Sequence, residues 1–183
     1  TVVFERTSLL ALAWQHVAIV GASLGLILAI GLPLGVWLTR ASGRPFLALV
    51  SSLVSAGQAF PPVAVLALAL PFFGFGARPT LIALVAYGLL PVTSNTVAGL
   101  RAVPSDLKEA GRGLGMGPGA LFWRVEVPLA LRTVLAGVRV SAVYTLGTAT
   151  VAPIIGAGGL GVPIIAGLAV GNLALVLQGA VPV

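Results

Sequence analysis

The sequence predicts an all-α integral membrane protein with about five transmembrane helices. Only 8% of its 183 residues are charged, whereas a globular domain has about 25%, and 58% are hydrophobic. So few charges could not cover the surface of a soluble domain of this size. A transmembrane β-barrel would need strands of about ten residues with strict alternation. The apolar runs here are instead continuous and rich in Leu, Ala and Gly, so helices are predicted.

Uncharged runs locate the spans, because each reaches the roughly 20 residues that a helix needs to cross a ~30 Å hydrocarbon core. We expect one transmembrane domain over residues 1–183. The last twelve residues are too short to cross alone, so we expect the natural polypeptide to continue past Val183. The uncharged runs are 7–39, 45–77, 79–100 and 140–183. The spans are predicted at about 13–38, 46–73, 79–100, 128–151 and 165–183.

Basic residues set the orientation. A net charge of +6 would suggest nucleic-acid binding in a soluble protein, but here the basic residues flank the spans, as orientation in a bilayer requires. We therefore expect membrane lipid and no nucleic acid as a partner. The positive-inside rule places the N-terminus outside and the loop between spans three and four in the cytoplasm. Residues 1–7 lack the basic start of a cleavable signal. The cytoplasmic side would hold Arg40, Arg44, Arg101, Lys108, Arg112, Arg124 and Arg132, and the other side Arg6 and Arg78.

Enzymatic functions are disfavoured. A P-loop needs the pattern G-x-x-x-x-G-K-[ST], and the only lysine, Lys108, is followed by Glu109. Residues 156–161 contain G-x-G-x-x-G, but no acidic residue follows Glu126 to complete a dinucleotide site. His16 is the sole histidine and is expected to be packed or interfacial. The absence of cysteine excludes thiolate metal sites and disulfides. Taken together, these observations lead us to expect no catalytic residue, cofactor or metal.

Several residues inside the spans are candidates for lining a path. Irregular backbone persists in a bilayer only where protein or a water-filled cavity satisfies its polar groups. Proline in membrane helices is common, however, and small polar residues often join helices, so each candidate keeps both interpretations. Arg139, about 10 Å beyond Arg132, has either a structural role at the membrane rim or a place on the path. The other candidates are Pro61 and Pro62, Asn95, and Tyr144, Thr145 and Thr148, which lie about a turn apart.

The charged segment, residues 101–127, is predicted to form a hairpin of two short helices. Pro104 stops the preceding helix, and Asp106 is expected to cap the next one in a capping box with Glu109. Glycines end that helix, and a second one over 120–127 lasts until Pro128 opens the fourth span. From spacing alone, a rigid docking element and an amphipathic helix on the membrane surface are equally good interpretations.

The charged segment resembles the EAA loop of ABC importer permeases. The family pattern is Glu-Ala-Ala, three residues, Gly, nine residues, an aliphatic, one residue, an aliphatic and Pro. Every gap in this chain is correct. Gly111 replaces the second Ala and Val127 replaces the usual Leu, and the first change exchanges a good helix former for a poor one. The pattern falls on Glu109, Ala110, Gly111, Gly115, Val125, Val127 and Pro128.

Four further segments are similar to permeases of the glycine betaine, carnitine and choline uptake group. They lie at 89–101, 137–139, 147–150 and 155–161, and the likeness covers roughly residues 20–180. Methionine and other small-molecule permeases share parts of these segments. The solute is therefore left among glycine betaine, choline, carnitine and other small zwitterions.

The resemblance implies a type I importer fold and a mechanism. Two permease copies, identical or paired with a sister subunit, would form the path in a prokaryotic inner membrane. Two cytoplasmic ATPases would bind ATP and Mg and hold the loops, and an extracytoplasmic binding protein would deliver the solute. The implied coupling residues are Glu109, Ala110, Gly111, Arg112, Gly115 and Pro128.

An alternative within the same class is the permease of another ABC importer, for an amino acid or other small solute. Two further alternatives differ in class. A secondary transporter or channel would be expected to carry ion-coupling carboxylates within its spans, and the predicted spans contain none. A structural or assembly subunit would not need a charged loop with this spacing.

Overall fold

The computed structural model describes residues 8–183, apart from the side chains of residues 54, 57, 58, 62 and 63. The described residues form helices joined by turns, without a strand, which confirms the predicted fold class. Residues 1–7, including Arg6 and the segment examined for a signal, lie outside the described part. The α-helices are α1 (Leu9–Thr39), α2 (Leu47–Ala59), α3 (Pro62–Phe73), α4 (Ala77–Arg101), α5 (Ser105–Gly113), α6 (Pro118–Leu121), α7 (Val127–Ala149), α8 (Gly161–Ala169) and α9 (Leu173–Ala180). Single-turn 3₁₀ helices occupy Arg44–Phe46 and Ala152–Ile155, and a π-helical turn occupies Phe122–Glu126.

Three helical runs of the described chain are long and apolar enough to cross a membrane. They are α1, α4 and the continuous 32-residue run Pro118–Ala149, which joins α6, the π-helical turn and α7. Helix α1 begins after Ser8, whose hydroxyl accepts a hydrogen bond from the Ala11 N–H at 3.2 Å.

The second expected span, 46–73, is not one helix. Helix α2 ends at Ala59 and α3 begins at Pro62, with Pro61 in an extended conformation (φ −58°, ψ 141°) between them. Two consecutive prolines remove two N–H donors, and the residue before a proline is disfavoured in the α region, so the helix cannot continue.

The hydroxyl of buried Tyr87, on α4, donates a hydrogen bond to the carbonyl of Phe60 at this break. Replacing Tyr87 with Phe is expected to destabilise the chain by about 1 kcal/mol, because the carbonyl loses a partner where proline has removed helical donors. Thermal unfolding in detergent measures the loss, with Tyr144→Phe as control, since Tyr144 is 52% exposed. Equal unfolding temperatures for the two variants would contradict this role.

The fifth expected span, 165–183, is also wrong as a single helix. Helices α8 and α9 have nine and eight residues, each well short of a bilayer crossing. Gly171 lies between them with φ +65°, and the Asn172 side chain caps α9 by accepting the Ala174 N–H at 3.1 Å. The two helices pack closely, since a Cβ on Gly167 would come 2.7 Å from the Val176 side chain. Residues 161–180 therefore form a helical hairpin.

The chain divides into two compact units. Of the described residues, the first contains 8–26, 56–88 and 142–183, and its cores include Val20 with Leu84, and Leu66 with Ile155. His16 is buried in this unit, as expected, with the ring against Gly159 of the glycine-rich loop.

The second unit contains residues 27–55 and 89–141, including the whole charged segment. Glycines bring its helices together: a Cβ on Gly35 of α1 would lie 2.6 Å from Thr96 of α4, and one on Gly137 of α7 would lie 2.5 Å from the Pro91 carbonyl oxygen of α4. Close backbone approach through small residues is the usual packing of membrane helices. This packing holds together α4 and α7, the two helices that flank the charged segment.

Candidate coupling segment and path residues

The charged segment begins with α5, which starts at Ser105 directly after Pro104. The expected capping box is wrong. The helix begins at Ser105, two residues before the expected start, so Asp106 lies inside the first turn and not at the cap. The third helical position, from which a side chain reaches back in a capping box, is then Leu107 and not Glu109. Asp106 instead accepts a hydrogen bond from the Ser105 hydroxyl at 3.1 Å and lies in the first turn, where a carboxylate is favourable.

One face of α5 packs against α6 and the other is open. Gly111 is buried, and a Cβ added to it would come 2.7 Å from the Leu121 side chain and 3.4 Å from the Met116 sulfur. This contact accounts for glycine where the family pattern has Ala. Of the coupling residues expected on α5, the remaining three, Glu109, Ala110 and Arg112, are exposed.

Gly115 ends this helix in a left-handed conformation, with φ +79°. The Met116 N–H bonds to the Gly111 carbonyl at 3.0 Å, and the Leu114 N–H bonds to that of Ala110 at the same distance. A six-to-one bond around a left-handed glycine is the Schellman arrangement. The spacing of the pattern therefore places glycine where a side chain would be strained.

Pro128, the expected start of the fourth span, is the second residue of α7, but contrary to expectation no new helix begins there. It lies inside the continuous run Pro118–Ala149, two residues after the π-helical turn ends at Glu126. A proline ring clashes with the carbonyl four residues earlier, and a π-helical turn takes up the extra residue that relieves such a clash. The charged segment therefore continues directly into α7 without a break.

Glu126 is the carboxylate that sequence reasoning missed. Its side chain is only 8% exposed. Its Oε2 atom accepts a hydrogen bond from Nη2 of Arg40 at 2.6 Å, and the two side chains form an ion pair. Arg40 follows α1 and its side chain is 40% exposed. The Arg40 guanidinium also lies 5.0 Å from the centre of the Phe122 ring. Glu126 stands between two aliphatic residues of the family pattern, and a carboxylate in such an apolar setting needs a cation. That was the available signal.

The candidate path residues on α3 and α4 lie in different surroundings. Pro61 is exposed at the break between α2 and α3, while the side chain of Pro62 lies outside the described residues. Asn95 is half-buried against Gly137, and its amide donates to the Pro91 carbonyl at 2.8 Å. It thus satisfies a carbonyl of its own helix.

The candidates on α7 do not share one exposed face. Arg139 and Tyr144 are exposed, Thr148 is half-buried, and Thr145 is fully buried. Thr145 is buried while its neighbour Tyr144 is exposed, because residues i and i+1 of a helix point about 100° apart. A path role for all of these residues stays a prediction.

The unit that holds the charged segment contains two cavities. An apolar one of ≈ 520 Å³ lies between α1, α4 and the run through α7, with Trp37 and Trp123 on its walls. A second one of ≈ 280 Å³ lies between α2 and α4 and carries Ser51, Thr93, Ser94 and Arg101. None of these four polar residues was identified as a path candidate from the sequence.

Most of the chain matches a known protein family. Residues 31–183 match the family model described as binding-protein-dependent transport system inner membrane component. The carnitine transport permease protein OpuCB of Listeria monocytogenes is 44% identical over 96% of this chain and 80% of its own length. The choline transport system permease protein OpuBB of Bacillus subtilis is 39% identical with the same coverage.

Solved structures share the fold. The MetNI methionine ABC transporter, in an inward-facing conformation, superposes with a TM-score of 0.82 over 98% of this chain and 90% of the matched chain, at 23% identity. An amino acid ABC transporter superposes with a TM-score of 0.69 over 94% of this chain and 89% of the matched chain. The type I importer permease fold is thereby confirmed.

Proposed function

We propose a function from the premise that this chain belongs to the family of binding-protein-dependent transport system inner membrane components: it is the permease subunit of an ATP-driven importer for a small osmoprotectant. Carnitine, choline and glycine betaine are the solutes in the names of relatives that are 39–44% identical. Each relative is covered over at least 76% of its length. The shared region thus includes both compact units.

The observation that carries the coupling role is the geometry of α5. Its exposed face presents Glu109, Ala110 and Arg112, while Gly111 seats the opposite face on Leu121. A helix held on one side and open on the other is suited to fill a groove on a partner. We infer that cytoplasmic ATPase subunits supply that groove and bind the ATP and Mg. A second permease copy and an extracytoplasmic binding protein complete the assembly.

Two connections can transmit force from α5 into the spans, one covalent and one ionic. The run Pro118–Ala149 passes without interruption from α6 into α7. The Arg40–Glu126 ion pair joins the same run to the end of α1. In this proposal the charged segment faces the cytoplasm and the N-terminus lies outside, in agreement with the distribution of basic residues.

Co-purification with the ATPase tests the proposal. Glu109→Lys reverses a charge on the exposed face of α5, and Gly115→Val forces a β-branched residue to φ +79°, which costs about 1–2 kcal/mol. We expect each variant to lose most ATPase binding and solute-stimulated ATP hydrolysis. Arg78→Glu and Gly119→Val are matched controls, since Arg78 is an exposed charge in the other unit and Gly119 has open space and no positive φ.

Retained ATPase binding together with retained solute-stimulated hydrolysis in both test variants would refute the docking role. If the two controls lost binding to the same degree as the test variants, the effect would be one of general instability and the assignment to Glu109 and Gly115 would fail.

A further inference from the structure

The ≈ 280 Å³ cavity between α2 and α4 combines apolar walls with hydrogen-bond donors. Its volume lies just below the range of about 300–1,000 Å³ that is usual for drug-sized ligands, so it suits a smaller molecule. It runs along one face of α4 from Leu90 to Arg101, about 16 Å at the helical rise per residue. The cavity is therefore long, narrow and of metabolite size.

The polar groups of this cavity lack partners. Within the part of the chain that the structure describes, the Arg101 guanidinium and the hydroxyls of Ser51 and Ser94 make no hydrogen bond or ion pair, and the buried Thr93 hydroxyl is unpartnered. The neighbouring Thr96 hydroxyl, in contrast, bonds the Val92 carbonyl at 2.7 Å. Ser51, Ser94 and Arg101 are exposed and free to bind a ligand, whereas the buried Thr93 hydroxyl requires water or a ligand beside it.

The charge of the cavity selects the ligand class. Its walls include one cation, Arg101, and no carboxylate. A guanidinium with nearby hydroxyls provides the donors that a carboxylate or a phosphate accepts, and arginine can do so through two parallel bonds. The walls of Leu38, Leu47 and Val50 are apolar and suit methyl groups. A small oxyanion fits the charge of the cavity; a trimethylammonium group finds no carboxylate or aromatic ring among these walls, so the assignment concerns the anionic end of a ligand alone.

We propose that this cavity binds the carboxylate of a small zwitterionic solute as it passes through the permease. The inference rests on the proposed function and names the solute class within it. Glycine betaine and carnitine carry a carboxylate next to a trimethylammonium group, whereas choline carries a hydroxyl instead. Arg101 then makes the permease itself discriminate between these solutes, independently of the binding protein that delivers them.

The test measures solute binding to the permease–ATPase complex in nanodiscs, without binding protein, by saturation-transfer NMR at millimolar solute. We expect ¹³C-labelled glycine betaine to bind the wild-type complex and Arg101→Gln to weaken that binding about five- to tenfold, because an exposed ionic hydrogen bond is lost. Arg101→Lys should keep much of the binding. Choline should bind weakly and equally to all forms. Arg78→Gln, which removes an exposed arginine of the other unit, is the matched control.

Three outcomes overturn the inference. Binding of glycine betaine that is equal in Arg101→Gln and Arg78→Gln would remove the role of Arg101. If Arg101→Gln weakened the binding of choline and glycine betaine equally, the cavity would not recognise the carboxylate. The third outcome has two parts. Solute binding is lost in nanodiscs that contain anionic phosphatidylglycerol, and native mass spectrometry shows that wild type retains this lipid while Arg101→Gln releases it. Together these results would assign the cavity to a lipid phosphate.

Uptake by proteoliposomes containing the whole transporter and its binding protein separates this inference from the function. If the wild-type transporter carries neither solute, the proposed function fails. If it carries solute while Arg101→Gln leaves glycine betaine binding intact, only the cavity assignment fails.

Discussion

Replacing Glu126 with Ala is expected to remove most ATP-driven uptake by this transporter and to destabilise the permease. The Glu126 side chain is 8% exposed and forms a 2.6 Å pair with Arg40, which also stacks on Phe122. Removing one partner of a buried pair costs about 3–5 kcal/mol because the other charge is left uncompensated. Arg40 is 40% exposed, so water recovers part of that cost and we expect about 2–3 kcal/mol.

The loss of transport is expected to exceed the loss of ATP hydrolysis. The exposed face of α5 does not contain Glu126, so the proposed ATPase contact is expected to survive, while the ionic link between the π-helical turn and the end of α1 is gone. Uptake and hydrolysis, measured on the same proteoliposomes, should therefore fall by different factors. A merely structural role would lower both equally.

A double-mutant cycle separates the pair from its surroundings. Arg40→Ala/Glu126→Ala should lose less stability than the two single variants added together, by about 1 kcal/mol or more, since no unpaired charge remains. Asp106→Ala is the control carboxylate, because Asp106 is exposed and has no cation partner within the described residues. Strict additivity in thermal unfolding would show that the ion pair carries no coupling.

Local features of the charged segment were predictable from the sequence. The position of Gly115 follows from the spacing of the pattern, and the structure shows the physical reason, a left-handed turn that only glycine enters without strain. The membrane class followed from composition, because 8% charge cannot solvate a soluble surface. Both conclusions depend on residues near one another in sequence or on averages over the chain.

Features that depend on distant residues or on competing local rules were missed. Arg40 and Glu126 are 86 positions apart, and no periodicity relates them. The expected capping box is absent because α5 begins at Ser105, which places Asp106 inside the helix and Leu107, not Glu109, at its third position. The hairpin of α8 and α9 depends on Gly167 packing against Val176, whereas hydropathy alone predicts one span. Hydropathy measures how apolar a segment is and does not show where the chain reverses direction.

Gly137→Leu is expected to push α7 away from α4 and to lower stability by about 1–3 kcal/mol, the usual cost of overpacking. Even a Cβ at residue 137 would lie 2.5 Å from both the Pro91 carbonyl oxygen and the Asn95 side chain. Backbone atoms cannot rotate away as a flexible side chain can, so one helix must move. Since these helices lead into and out of the charged segment, uptake should fall with stability.

Gly147→Leu provides the matched control on the same helix. A Cβ there meets nothing within 4 Å, and Gly147 is exposed, so replacing glycine with a good helix former should be neutral or stabilising by up to about 1 kcal/mol. Unfolding temperature in detergent and uptake in proteoliposomes should therefore both fall in Gly137→Leu, and neither should fall in Gly147→Leu. If Gly147→Leu proved as damaging as Gly137→Leu, the face of α7 that bears Gly147 would also be a packed interface. If Gly137→Leu were as stable as wild type, the close approach of α4 and α7 would be wrong.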